Sequence, residues 1–182
     1  MKAGFAILAD PSIHNYARKL ALNLALQYRV DYHAALLPPH ISLKQPFVVD
    51  DLDKLEDTFA GFAARTQPFT VGLERVYYGE WAGSAILGLA VTEIPALRGL
   101  HDRLNLELRE VVADPSAPFD GPDYRFHLTI EMGPAGERNP YKDYYDQLPE
   151  KEVNLSFTAG RLALFVSDQA EKTYITYRML DL

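Results

Sequence analysis

The sequence predicts an α+β protein of two packed lobes that share a cleft, and three observations carry that reading. The chain has 182 residues, the length of one domain or of one domain built from two similar lobes. The order strand, helix, strand, helix, strand runs through it twice. One short motif, a histidine followed by alternating aliphatic and hydroxyl residues, occurs once in each half. No linker and no low-complexity segment interrupts the chain. Residues 1–182 are therefore read as a single bilobal domain with interleaved lobes and approximate halves 1–80 and 84–182.

The elements follow in order. Residues 5–9 form a short apolar run, read as a strand and stopped by Asp10-Pro11. Asp10 can cap a following helix, and proline suits its first turn. From residue 12 to about 28, Ile13, Tyr16, Ala17, Leu20 and Leu24 recur at helical spacing. Residues 40–49 read as a strand interrupted by Pro46, and 51–65 as a helix with Leu52, Leu55, Phe59 and Phe62 on one face. Strands over 69–78 and 84–91 flank Gly79-Glu80-Trp81-Ala82-Gly83, a hairpin by its turn residues. A helix over 95–112 and a Pro/Gly-rich loop over 114–122 lead to a strand over 125–132. A short helix near 141–147 precedes strands near 153–166 and 173–180.

Composition excludes several functions. There are no cysteines, so disulfides, thiolate zinc sites and cysteine nucleophiles are absent. The net charge of -7 disfavours wrapping a long nucleic-acid duplex, while a small phosphate ligand or a single RNA end stays compatible. No apolar run is long enough to span a membrane, and the N-terminal apolar stretch is too short for a signal sequence. A cytoplasmic monomer is the expectation. Neither a Gly-x-Ser-x-Gly elbow, nor a Walker-type loop, nor His-x-x-x-His spacing occurs.

The two motifs are His40-Ile41-Ser42-Leu43, after Pro38-Pro39, and His127-Leu128-Thr129-Ile130, after Tyr124-Arg125-Phe126. Strand side chains alternate between faces. His40 and Ser42 then share one face, and His127 and Thr129 another, with the aliphatic residues anchoring each strand in its lobe. The same alternation puts Lys44 and Arg125 on the polar faces as candidate phosphate ligands. Five histidines occur, and two of them matching by chance is about a 1% event, which favours a site over coincidence.

Two imidazoles suit phosphodiester chemistry. With a pKa near 6.5, one ring can be neutral and accept a proton while its partner is protonated and gives one up. Two hydroxyls can hold the charged phosphoryl oxygens by donating hydrogen bonds. Such a scheme calls for no metal and no cofactor.

Pro-His-Ile-Ser-Leu and Phe-His-Leu-Thr-Ile, 87 residues apart, resemble the two signature motifs of the 2H phosphoesterases, a superfamily that includes 2′-5′ RNA ligase-like proteins and cyclic phosphodiesterases. The resemblance covers almost the whole chain. It implies a bilobal, pseudo-twofold fold of mainly antiparallel sheets with flanking helices around a central cleft. It also implies His40 and His127 as the catalytic pair, with Ser42 and Thr129 as the phosphate-binding residues. His127 would be the base and His40 the acid. Substrates by this resemblance are 2′,3′-cyclic phosphates or 2′-5′ phosphodiesters of a nucleotide or RNA terminus. Two alternatives stay open: a non-catalytic module that binds a nucleotide or RNA end, and a 2′-5′ RNA ligase running the reaction backwards.

Other residues have plainer readings. His14 and His101 look like solvated or capping helix residues, and His33 flanks the first motif. Tyr77, Tyr78 and Trp81 pack the hairpin or stack a nucleobase. Tyr141, Tyr144 and Tyr145 belong to helix packing.

Overall fold

The computed structural model describes residues 1–182 except 32–35, 82, 118–119, 169 and 171–173. His33, part of the 114–122 loop and the start of the 173–180 segment therefore lie outside the described residues. The described residues form β1 (Lys2–Leu8), α1 (Pro11–Tyr28), β2 (His40–Val48), α2 (Leu52–Ala64), β3 (Phe69–Trp81), β4 (Ser84–Val91), α3 (Pro95–Leu108), β5 (His127–Pro134), α4 (Pro140–Gln147), β6 (Glu152–Ala159), β7 (Arg161–Ser167) and β8 (Tyr174–Asp181).

Local signals set the helix ends. The Asp10 carboxylate accepts from the Ile13 amide at 2.9 Å, and Asp51 and Asn139 cap α2 and α4 in the same way. α3 has no side-chain cap and starts at Pro95. It ends at Leu108, short of the expected residue 112, because Val111 and Val112 close a last turn on the Leu108 carbonyl. The hairpin is tighter than its turn residues suggested. Gly79, Glu80 and Trp81 continue the ladder opposite Ile86, Ala85 and Ser84. Gly83 takes the left-handed φ of 81° that such a turn needs.

All eight strands join one sheet in the order β6-β3-β4-β5-β2-β1-β7-β8, and every pairing is antiparallel. Two four-stranded halves meet at a seam between β2 and β5, where the one assigned pair is Ile41 with Leu128. Each half draws on both parts of the chain. β7 and β8 join β1 and β2, and β3 joins β4, β5 and β6. The segment at 153–166 is two strands broken at Gly160, and the chain changes halves there.

The helices cross over. α1 packs on β5 and α4, although it follows β1; α3 packs on β2, although it follows β4. α2 covers β7 and β8, and α4 covers β3 and β4. A continuous core fills the space under them, with Phe5 edge-on to Phe59 and Phe62 at 5.3 and 6.3 Å. The motif residues Ile41, Leu43, Leu128 and Ile130 are fully buried in it. Each contributes about 1.5–3 kcal/mol by burial, which fixes both motif strands firmly. Tyr141 and Tyr144 are buried beneath α4, as helix packing requires. No described helix is long and apolar enough to cross a membrane.

Candidate active site

The site is built at the seam. Ile41 and Leu128 pair with their side chains in the core, so the residues beside them face the other way. His40 and Ser42 of β2 and His127 and Thr129 of β5 consequently share one face, all half-buried. At ordinary antiparallel spacing, residues directly across such a pair have Cβ atoms about 5 Å apart, and diagonal ones about 7–8 Å. The register of the Ile41–Leu128 pair, continued one residue to each side, sets His40 and His127 on that diagonal.

Each imidazole is held by the same device. His40 Nδ1 donates to the Pro38 carbonyl at 2.8 Å, and His127 Nδ1 donates to the Arg125 carbonyl at 3.0 Å. In both cases the acceptor lies two residues earlier. A carbonyl can only accept, so Nδ1 carries the proton and Nε2 is left for a ligand.

Aromatic rings support the pair. In each half, a ring from the third strand away from the seam meets the histidine edge to face. Phe165 of β7 lies 4.6 Å from His40, and Tyr77 of β3 lies 6.4 Å from His127. Burial pushes the His40 imidazole down to about 4, aided by the positive charges of His127 and Arg18, while the Pro38 carbonyl pulls the other way. Sequence reasoning missed Phe165 and Arg18, which reach the site only through tertiary packing. Arg18 sits on α1, where it donates to the Leu37 carbonyl at 2.6 Å.

Strand alternation fails immediately after each motif. Ser42 and Lys44 stand opposite Ala6 and Phe5, so Leu43 is an extra residue, a β-bulge. Thr129 and Glu131 stand opposite Gly88 and Leu87, so Ile130 is the matching bulge. The next residue in each strand turns to the helix side. Lys44 is 3% exposed and Glu131 is 1% exposed. The expectation that Lys44 shares the polar face is therefore corrected. Its ammonium donates to Asn105 Oδ1 at 2.8 Å and is paired with Asp120. Arg125 is exposed and lies just before β5 begins, so strand alternation does not place its side chain.

His101 also needs correcting. It is fully buried on α3, stacked on Tyr124 at 4.7 Å. Its Nδ1 donates to the carbonyl of the bulge residue Leu43 at 2.7 Å, and its Nε2 accepts from Asn105 at 3.1 Å. The Tyr124 hydroxyl donates to the Ser42 carbonyl at 3.0 Å. His101, Tyr124 and Asn105 thus brace the first motif from behind. His14 is half-buried on α1. Tyr78 faces α4, where it packs against Tyr145 and receives a bond from Asn139 at 2.5 Å. Trp81 lies at the hairpin tip and is exposed.

Known proteins carry the same architecture. A family model described as the 2'-5' RNA ligase superfamily matches residues 9–171. A Geobacillus kaustophilus protein named "Putative phosphoesterase" is 30% identical over 169 residues, covering 90% of this chain and 87% of its own. A Bacillus cereus protein of the same name is 32% identical over 171 residues, covering 86% and 88%. The solved structure of TT0787 from Thermus thermophilus superposes with a TM-score of 0.70 at 15% identity, over 100% of this chain and 98% of that one. E. coli LigT, solved with 3'-AMP, gives 0.59 at 16% identity, over 100% and 96%. With the family match spanning most of its length and the expected bilobal antiparallel fold in place, the chain belongs to the 2′-5′ RNA ligase superfamily of 2H phosphoesterases.

Proposed function

We propose that the protein is a metal-independent phosphoesterase that opens 2′,3′-cyclic phosphates, or cleaves 2′-5′ linkages, at a nucleotide or RNA end. The observation that carries this reading is the matched pair of imidazoles at the seam, each with Nδ1 tied to a carbonyl and Nε2 left for a ligand. Two hydroxyls flank them on the same face. The names of the curated relatives and the 3'-AMP bound to LigT support a phosphoester ligand of nucleotide size. The net charge of -7 fits a small or end-bound substrate better than a long duplex.

Neutral His40 takes a proton from water through Nε2 as the water oxygen bonds to phosphorus. The bond from phosphorus to one ribose oxygen breaks, and that oxygen takes the Nε2 proton of His127. A phosphomonoester leaves, and proton exchange with solvent resets both rings. Ser42 and Thr129 donate to the non-bridging oxygens, where charge accumulates. His40 is the base in this scheme because burial keeps it neutral at pH 7. That reverses the roles the family resemblance implied.

The test is incubation with 2′,3′-cyclic nucleotides in EDTA, with product analysis. A single phosphomonoester is expected. Binding without any product would make the protein a binding module, and activity lost to EDTA and restored by zinc or manganese would overturn the two-histidine scheme.

A further inference from the structure

The two sides of the site share a plan, a motif histidine met edge to face by an aromatic ring. Phe165 and Tyr77 support the two histidines, but only Tyr77 carries a hydroxyl. Its location follows from the register. Tyr77 on β3 pairs with Gly88 on β4, and Gly88 pairs with Thr129 on β5. Paired residues point to the same face, so Tyr77, Gly88 and Thr129 form one row across the site face. Gly88 has no side chain, and the tyrosine fills that space. A Cβ built on Gly88 would lie 2.7 Å from the ring and 2.9 Å from the hydroxyl oxygen. The phenol therefore reaches across β4 towards Thr129, while its ring holds the edge-to-face contact with His127.

That hydroxyl has no hydrogen-bond partner among the described residues. A part-buried hydroxyl in a catalytic cleft with no protein partner is a donor in waiting. Burial pushes the Tyr77 phenol up to about 12, so it keeps its proton at any working pH.

We infer that Tyr77 is a further catalytic residue, whose hydroxyl donates to a non-bridging phosphoryl oxygen on the His127 side of the bound substrate. The inference rests on the two-histidine reading. Among the described residues it gives that side two hydroxyl donors, Thr129 and Tyr77, against Ser42 on the His40 side. The extra donor lies beside the acid, where the leaving ribose oxygen departs.

Tyr77→Phe tests it, because the ring, its contact with His127 and its fit over Gly88 are all kept. With 2′,3′-cyclic AMP, kcat/KM should fall on the order of 10–10²-fold, as for loss of one donor to a charged intermediate. The melting temperature and the pH dependence of the rate should stay unchanged, which loss of mere packing would not give. Adenosine 2′-monophosphate should also bind at least several-fold more weakly to the variant, read by calorimetry. Gly88→Ala, which evicts the ring, should show the same loss. A Tyr77→Phe variant within twofold of wild type in both turnover and monophosphate binding overturns the inference and leaves the histidine reading standing. If the wild type binds the monophosphate without turnover, weaker binding by Tyr77→Phe upholds the hydroxyl contact while the catalytic reading falls. If the wild type neither binds nor turns over either nucleotide, both fall together.

Discussion

Phe165 lies edge-on to His40 with 4.6 Å between ring centroids, and that contact covers one side of the imidazole. Desolvation is the main reason its pKa falls to about 4. Phe165→Ala should admit water and move the His40 pKa up towards its ordinary 6.5. NMR titration of the ring protons reads this directly, and the acid limb of the pH–rate profile should move up with it. An unmoved His40 titration in Phe165→Ala would show that another group controls the pair.

On the proposed function, the two histidines form one proton relay. His40→Ala and His127→Ala should each cost on the order of 10²–10⁴ in rate on a cyclic nucleotide. The double variant should fall far short of the product of the two losses, since either loss already stops the relay. Ser42→Ala and Thr129→Ala should each cost less, because one donor remains. Near wild-type turnover in both histidine variants would remove them from the mechanism.

Stability should carry the signature of His40. Its imidazole titrates near 6.5 in the unfolded chain but about 4 in the folded one, so between those values the unfolded state binds more protons. Stability therefore falls as pH drops from 6.5 through 4, by no more than about 3 kcal/mol from this group. Urea unfolding of wild type and His40→Gln across that window should show the difference between them changing in that direction. A constant difference would mean that the folded protein does not hold the ring neutral.

Lys44 should behave as a buried structural charge. Lys44→Ala leaves Asp120 and Asn105 without their cation and should cost about 3–5 kcal/mol of stability. Lys44→Met combined with Asp120→Leu should recover much of that loss, since an apolar pair needs no hydration. Chemical denaturation separates this from a phosphate ligand, which would raise KM and leave stability nearly intact.

Much of the site is legible in the sequence because period-two alternation is local. His-Ile-Ser-Leu and His-Leu-Thr-Ile fix which side chains go in and which go out, and the buried Ile41 and Leu128 follow that rule. Lys44 does not, because a bulge inserts one residue without a compositional mark. The signal available was repetition: a charged residue stands at the same place after both motifs, Lys44 and Glu131, and both turn inward. Helical spacing makes His101 look like a surface residue, because it cannot show that α3 crosses to the strand whose bulge needs a donor. Phe165 and Arg18 are invisible for the same reason. Their roles arise where distant parts of the chain meet.

The crossed helices give the seam its mechanics. A seam with one backbone pair would, alone, be a hinge on which two plates could swing. α1 leaves β1 and fastens to the opposite plate, and α3 does the same in return, so the two helices act as crossed straps. Separating the plates would tear each strap from its bed, exposing Ile13, Ala17, Leu97 and Leu104 to water. The straps thereby oppose any change in how the two motif strands sit beside each other. On the proposed function, a substrate would meet two plates that the straps keep from swinging apart.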